Sequence, residues 1–113
     1  MRALSIRQPY VEEILRGIKR MEYRTRPVSK AIIGQKFYIY AAMKFPSPTD
    51  VRKYCKLTWK EGDLPTGVIV GTARISRCTR GEAYYEWHLT DVKRLKRPLR
   101  PKNHPQPSWF HPF

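Results

Sequence analysis

At 113 residues, 41% of them hydrophobic, the chain is long enough for one globular domain with a single modest core. No apolar run approaches the roughly 20 residues of a membrane span, and no long apolar h-region opens the chain as in a secretory signal, so a soluble, cytoplasmic protein is expected. The balance of 23 Lys+Arg against 9 Asp+Glu gives a formal net charge of +14, which attracts polyanions, nucleic acid first among them.

Residues 2–6 read as a short strand, followed by a helix over 9–17. Pro9 suits the first turn, where its missing N–H leaves nothing unpaired. Val11, Ile14, Leu15 and Ile18 recur at the spacing of one buried helical face, and Gly17 is placed to stop the helix in a left-handed conformation. The period then changes to two across a strand at 20–26. Met21, Tyr23 and Thr25 share one face; Arg20, Glu22, Arg24 and Arg26 share the other. Such a row either grips an anion with a carboxylate beside it or forms a solvated face of weak ion pairs, each contributing ~0–1 kcal/mol. Ser5, Arg7 and Gln8 sit just ahead of a helix N-terminus, where free backbone N–H groups attract anions.

The run Leu4-Ser5-Ile6-Arg7-Gln8-Pro9-Tyr10, with Gly17-Ile18-Lys19, Glu22, Arg24 and Arg26-Pro27 after it, resembles the opening of the ASCH family, a branch of the PUA-like superfamily. The resemblance implies an α+β fold: a PUA-like, partly open β-barrel of about five or six strands with two or more flanking helices. It also implies a cleft that accepts RNA or a modified nucleobase, lined by the first helix and the Lys-x-x-Glu-x-Arg strand. Some stand-alone family members are acetylcytidine amidohydrolases, and on that likeness Lys19 and Glu22 become the catalytic candidates. Two departures stand against this. Those hydrolases place a threonine three residues after the lysine, where this chain has Glu22. They also need a glutamate on a later strand, where Gly71-Thr72-Ala73-Arg74-Ile75 carries Arg74. Ribonuclease activity, also associated with the family, would draw on Glu22, His88 and Lys19. Coactivator-associated members suggest a protein-interaction role, which this short chain supports least, and no obligate protein partner is evident.

Further along, 28–35 reads as a loop turning at Gly34, and Phe37 to Ala42 is a continuous apolar run typical of a buried strand. Lys44 follows at its mouth. Ser47-Pro48-Thr49-Asp50 has the capping serine, proline and acid that open a second helix. The stretch 43–66 is either a lid over the cleft or a fixed buttress. A long strand covers 67–77, bulged at Gly71 where the pattern changes phase, and Gly81 turns the chain into an alternating strand from Tyr84 to Leu89. Lys93, Arg94, Lys96, Arg97, Arg100 and Lys102 make a basic stripe suited to a phosphate track. The proline-rich ending holds Trp109, Phe110 and Phe113, so it is expected to fold back onto the barrel rather than remain a solvated tail.

Cys55 and Cys78 lie in no CxxC spacing, which favours free thiols, and no ligand spacing joins them to His88, His104 and His111, so neither metal nor cofactor is expected. Single-stranded nucleic acid needs cations for its phosphates and aromatic faces for its bases, with stacking worth ~1–3 kcal/mol per base. The binding set expected is therefore Ser5 and Gln8 for cleft polarity beside Lys19 and Glu22. Arg7, Arg24, Arg26 and Lys44 are assigned to phosphates, and Trp87 to stacking. The partner expected is RNA, or a modified nucleoside.

Overall fold

The computed structural model describes residues 1–46 and 63–113. Six strands and one short helix are seen among them: β1 (Ala3–Arg7), α1 (Tyr10–Leu15), β2 (Met21–Arg24), β3 (Lys36–Ala42), β4 (Val68–Arg80), β5 (Tyr85–Leu99) and β6 (Trp109–Phe110). They form one sheet in the order β2-β5-β4-β3-β1-β6. β1 runs parallel to β3, and the other pairings are antiparallel. The second helix expected from Ser47, and most of the 43–66 stretch, lie outside the described residues, as does Cys55.

The sheet curls into a half-barrel, and two side-chain contacts show where it closes. Trp87 on β5 stacks on Trp109 of β6 with ring centroids 6.0 Å apart and planes 12° apart. Arg24 Nη2 on β2 donates to the Ser5 carbonyl of β1 at 2.8 Å. Strands from opposite sides of the sheet thus meet through side chains, without a continuous ladder. Inside the curl, Leu4, Ile14, Phe37, Ile39 and Ile75 are fully buried, and about 25 cal/mol per Å² of apolar surface removed from water holds the strands together.

Helix α1 is shorter than the 9–17 expected, and the reason lies at its C-terminus. Gly17 takes φ 78; its N–H donates to the Ile14 carbonyl and that of Ile18 to the Glu13 carbonyl. This is a Schellman ending, which a left-handed glycine permits without strain. Ile18 therefore falls beyond the helix and is exposed, a correction to its expected place on the buried face; Val11 and Ile14 do occupy that face. Below the helix, β4 slips register between Ile69 and Gly71 against both neighbours, the bulge that Gly71 suggested. A Cβ at Gly71 would lie 2.7 Å from Leu15 Cδ2 and 2.7 Å from the Lys93 carbonyl oxygen. Its missing side chain lets α1 press onto the bulge.

The same helix is clamped from the other side. Arg94 reaches from β5 to both carboxylate oxygens of Glu12 at 2.9 and 2.8 Å, and Arg16 adds a third contact at 2.6 Å. The Arg94 guanidinium holds the buried Glu12 carboxyl below the usual carboxylate range, and Glu12 in turn raises Arg94. The C-terminal segment folds back as expected. Phe110 packs edge-on to Tyr40, Phe113 does the same to Tyr38, and the Lys102 and Asn103 amides donate to the Pro112 carbonyl.

Candidate nucleic-acid interface

At the open end of the half-barrel a cleft of about 940 Å³ lies where β1 runs into α1. This is within the ~300–1,000 Å³ range of ligand sites. Ser5, Arg7 and Tyr10 form one side, Glu22 and Arg24 of β2 another, and Tyr40 to Lys44 the end of β3. The remaining wall comes from residues 100–107, ahead of β6.

Four residues of β2 pair with β5, Met21 to Arg24 opposite His88 to Tyr85. Alternation over so short a strand puts Glu22 and Arg24 toward the cleft and leaves Tyr23 47% exposed. Arg20 and Arg26 lie beyond the strand ends. Both are exposed, and the Arg26 carbonyl accepts the Trp87 Nε1–H at 3.0 Å. Arg26 is thus not among the residues lining the cleft.

Glu22 is 6% exposed. Its carboxylate accepts from Arg24 Nη2 at 3.3 Å, the Tyr23 amide at 3.2 Å and Lys19 Nζ at 3.5 Å. Lys19 does not itself line the cleft; its ammonium sits over the Tyr10 ring, 4.5 Å from the centroid. The helix–strand junction therefore does bring Lys19, Glu22 and Arg24 into one connected cluster. Glu22 is the one carboxylate among the described lining residues. Arg74 lies elsewhere, bonded to Asp91 at 3.2 Å and to the Gly34 carbonyl at 2.7 Å.

Two expected contact residues are placed as supports. Gln8 is fully buried; its Oε1 accepts from the Glu12 amide at 3.1 Å, and its Nε2 donates to the Pro65 carbonyl at 3.0 Å. It fastens the start of α1 to the approach to β4. Trp87 is 3% exposed, with Trp109 stacked against it and the Arg24 guanidinium 5.7 Å from its ring. Its indole steadies Arg24 from beneath. Polar neighbours in the sequence had suggested an open face, but Glu86 and His88 are bonded to Thr79 on the far side of the strand. Arg7 and Lys44 are exposed at the rim as expected. Tyr40 is largely buried, and that burial pushes its phenol up.

Local sequence reasoning did not place the fourth wall. Arg100, expected only as part of the basic stripe, and His104 line the cleft, and the available signal was the aromatic ending that returns the chain to β1. Among the described residues no cluster of His, Cys, Asp and Glu is arranged to hold a metal. Nor is any described helix long and apolar enough to cross a membrane.

The ASCH domain profile matches residues 4–107, nearly the whole chain and every strand of the half-barrel except β6. The chain belongs to the ASCH family. Its curled sheet is the PUA-like barrel that the family shares, and the family's broad class is nucleic-acid binding. No curated protein matches the sequence in direct comparison.

Proposed function

We propose that this ASCH protein binds single-stranded RNA, or a modified nucleotide within it, in the cleft between α1 and the half-barrel. The observation that carries the reading is the inward-turned Glu22–Arg24 pair on the cleft floor beneath the exposed cations Arg7 and Lys44. A base has polar edges and a phosphate has charge; the floor offers a carboxylate and a guanidinium for the first, the rim offers cations for the second. Ser5 also lines the cleft, and Tyr10 is the more exposed of its two tyrosines. Gln8, Arg26 and Trp87 act through the supports they provide, holding α1, the end of β2 and Arg24 in place.

The test is fluorescence anisotropy with labelled single-stranded RNA. Arg7→Ala and Lys44→Ala are expected to weaken binding, each lowering the slope of log K against log salt by ~0.7. Arg24→Ala weakens it through loss of the floor. Lys30→Ala, an exposed cation away from the cleft, retains wild-type affinity. If the cleft variants behave like Lys30→Ala, the cleft is not the site.

A hydrolytic reading is favoured by one contact, Lys19 Nζ against Glu22 Oε1 at 3.5 Å. The single carboxylate and the remote Arg74 favour binding instead. Incubation with acetylcytidine and with labelled RNA separates the two: turnover abolished by Lys19→Ala supports hydrolysis, and an inactive wild type retires it.

A further inference from the structure

The charge balance of the cleft says what kind of ligand it takes. Among the described lining residues four side chains are formally cationic, Arg7, Arg24, Lys44 and Arg100, against the one carboxylate of Glu22. Glu22 is already engaged by Arg24 at 3.3 Å. Arg7, Lys44 and Arg100 have no ion-pair partner among the described residues, and they converge from β1, the end of β3 and the C-terminal segment. A neutral nucleoside would sit among three charges that no described carboxylate pairs with.

The segment carrying Arg100 is tied down at both ends. The Lys102 and Asn103 amides donate to the Pro112 carbonyl at 2.7 and 3.0 Å, and Asn103 Nδ2 donates to the His111 carbonyl at 2.7 Å. At the far end the Ser5 amide donates to the Ser108 carbonyl at 3.0 Å. Between these ties Pro105 and Pro107 restrict the backbone, and Pro101 does so between Arg100 and the first tie. The segment is a preformed strap, so little ordering entropy is lost when a ligand meets it.

We propose that the phosphate backbone of that RNA is gripped between two lips: Arg7 and Lys44 on one, Arg100 and His104 on the other. The inference rests on the RNA-binding reading of the cleft and adds the strap as a second phosphate-contacting wall.

The experiment compares cytidine, cytidine monophosphate and a short single-stranded RNA of mixed sequence across a salt series. With three phosphate contacts the expected slope of log K against log salt is about −2 near pH 8, a loss of about 20-fold between 50 and 200 mM. Arg100→Ala reduces that loss to about 7-fold, and Arg100→Lys, which keeps the charge, restores it. Cytidine binds far more weakly than the monophosphate. If cytidine binds as tightly as RNA, or the Arg100→Ala, His104→Ala double variant keeps the wild-type slope while Arg7→Ala lowers it, the strap proposal falls and the cleft reading stands. If RNA does not bind at all, both fall.

Discussion

Replacing Arg94 tests whether this cation of the basic stripe is structural. Both hydrogen bonds from Arg94 reach Glu12, whose side chain is only 7% exposed, although the arginine's own is 48% exposed. Hydrogen bonds to a charged group contribute ~1.5–3 kcal/mol when sheltered and exposed ion pairs ~0–1 kcal/mol. The half-exposed Arg94, with Arg16 still holding Glu12 at 2.6 Å, places Arg94→Ala between these limits, at about 1–2 kcal/mol of lost stability. For a domain of this size that lowers Tm by roughly 4–10 °C. The pH dependence has a definite sign. The folded pKa of Glu12 is depressed, so the stabilisation is fully present above its unfolded pKa and is lost as pH falls through the folded value. The raised pKa of Arg94 works at the opposite extreme, its contribution fading only in strong alkali. Urea unfolding of wild type, Arg94→Ala and Arg94→Lys, with Glu12→Gln closing a double-mutant cycle, is measured at pH 7 and again towards pH 2. A deficit below about 0.3 kcal/mol at pH 7, or one that persists undiminished in acid, refutes the reasoning. So would a large fall in RNA affinity with unchanged stability, which would return Arg94 to the phosphate track.

Gly71→Ala places a methyl against the Lys93 carbonyl, which as backbone cannot swing aside, and is expected to destabilise by ~1–3 kcal/mol or more, read as a shift in the urea midpoint; a neutral substitution would mean α1 is not pressed onto the bulge. Trp87→Phe removes the donor to the Arg26 carbonyl and part of the Trp109 stack, lowering stability by ~1–3 kcal/mol. Its RNA affinity should fall only modestly, and lost binding in a fully stable Trp87→Phe would make the indole a direct ligand contact. Trp109→Ala opens the seam of the half-barrel and is expected to cost about 3 kcal/mol by thermal unfolding, whereas a shift under 1 kcal/mol would show that β6 is dispensable. Gly17→Ala forces a β-carbon into a left-handed turn and should cost about 1 kcal/mol in the same assay.

Local patterns located most of the elements. Alternation around Glu22, the apolar run before Lys44 and the phase change at Gly71 each identified a strand or bulge that the structure contains. They also separated Glu22 and Arg24 from Tyr23 on the two faces of β2. They were less able to say how far a pattern extends. Gly17 ends the helix before Ile18, and β2 stops at Arg24, so Ile18 and Arg26 leave the faces that periodicity assigned to them. Strand pairing with β5 sets that limit, and its partner lies more than sixty residues away.

The sequence by itself determined the family signature, the strand–helix–strand opening, the positive charge and the aromatic tail that must return to the barrel, because these depend on spacing and composition over a few residues. Only the tertiary structure decided which cations are paired and which line the cleft. Arg94 and Arg100 stand in one stripe, yet the first is held by Glu12 and the second lines the cleft. Trp87, flanked by polar residues, is a buried support. A charge is free or engaged according to what the fold brings within a few ångströms of it, and that neighbour is usually distant in the chain.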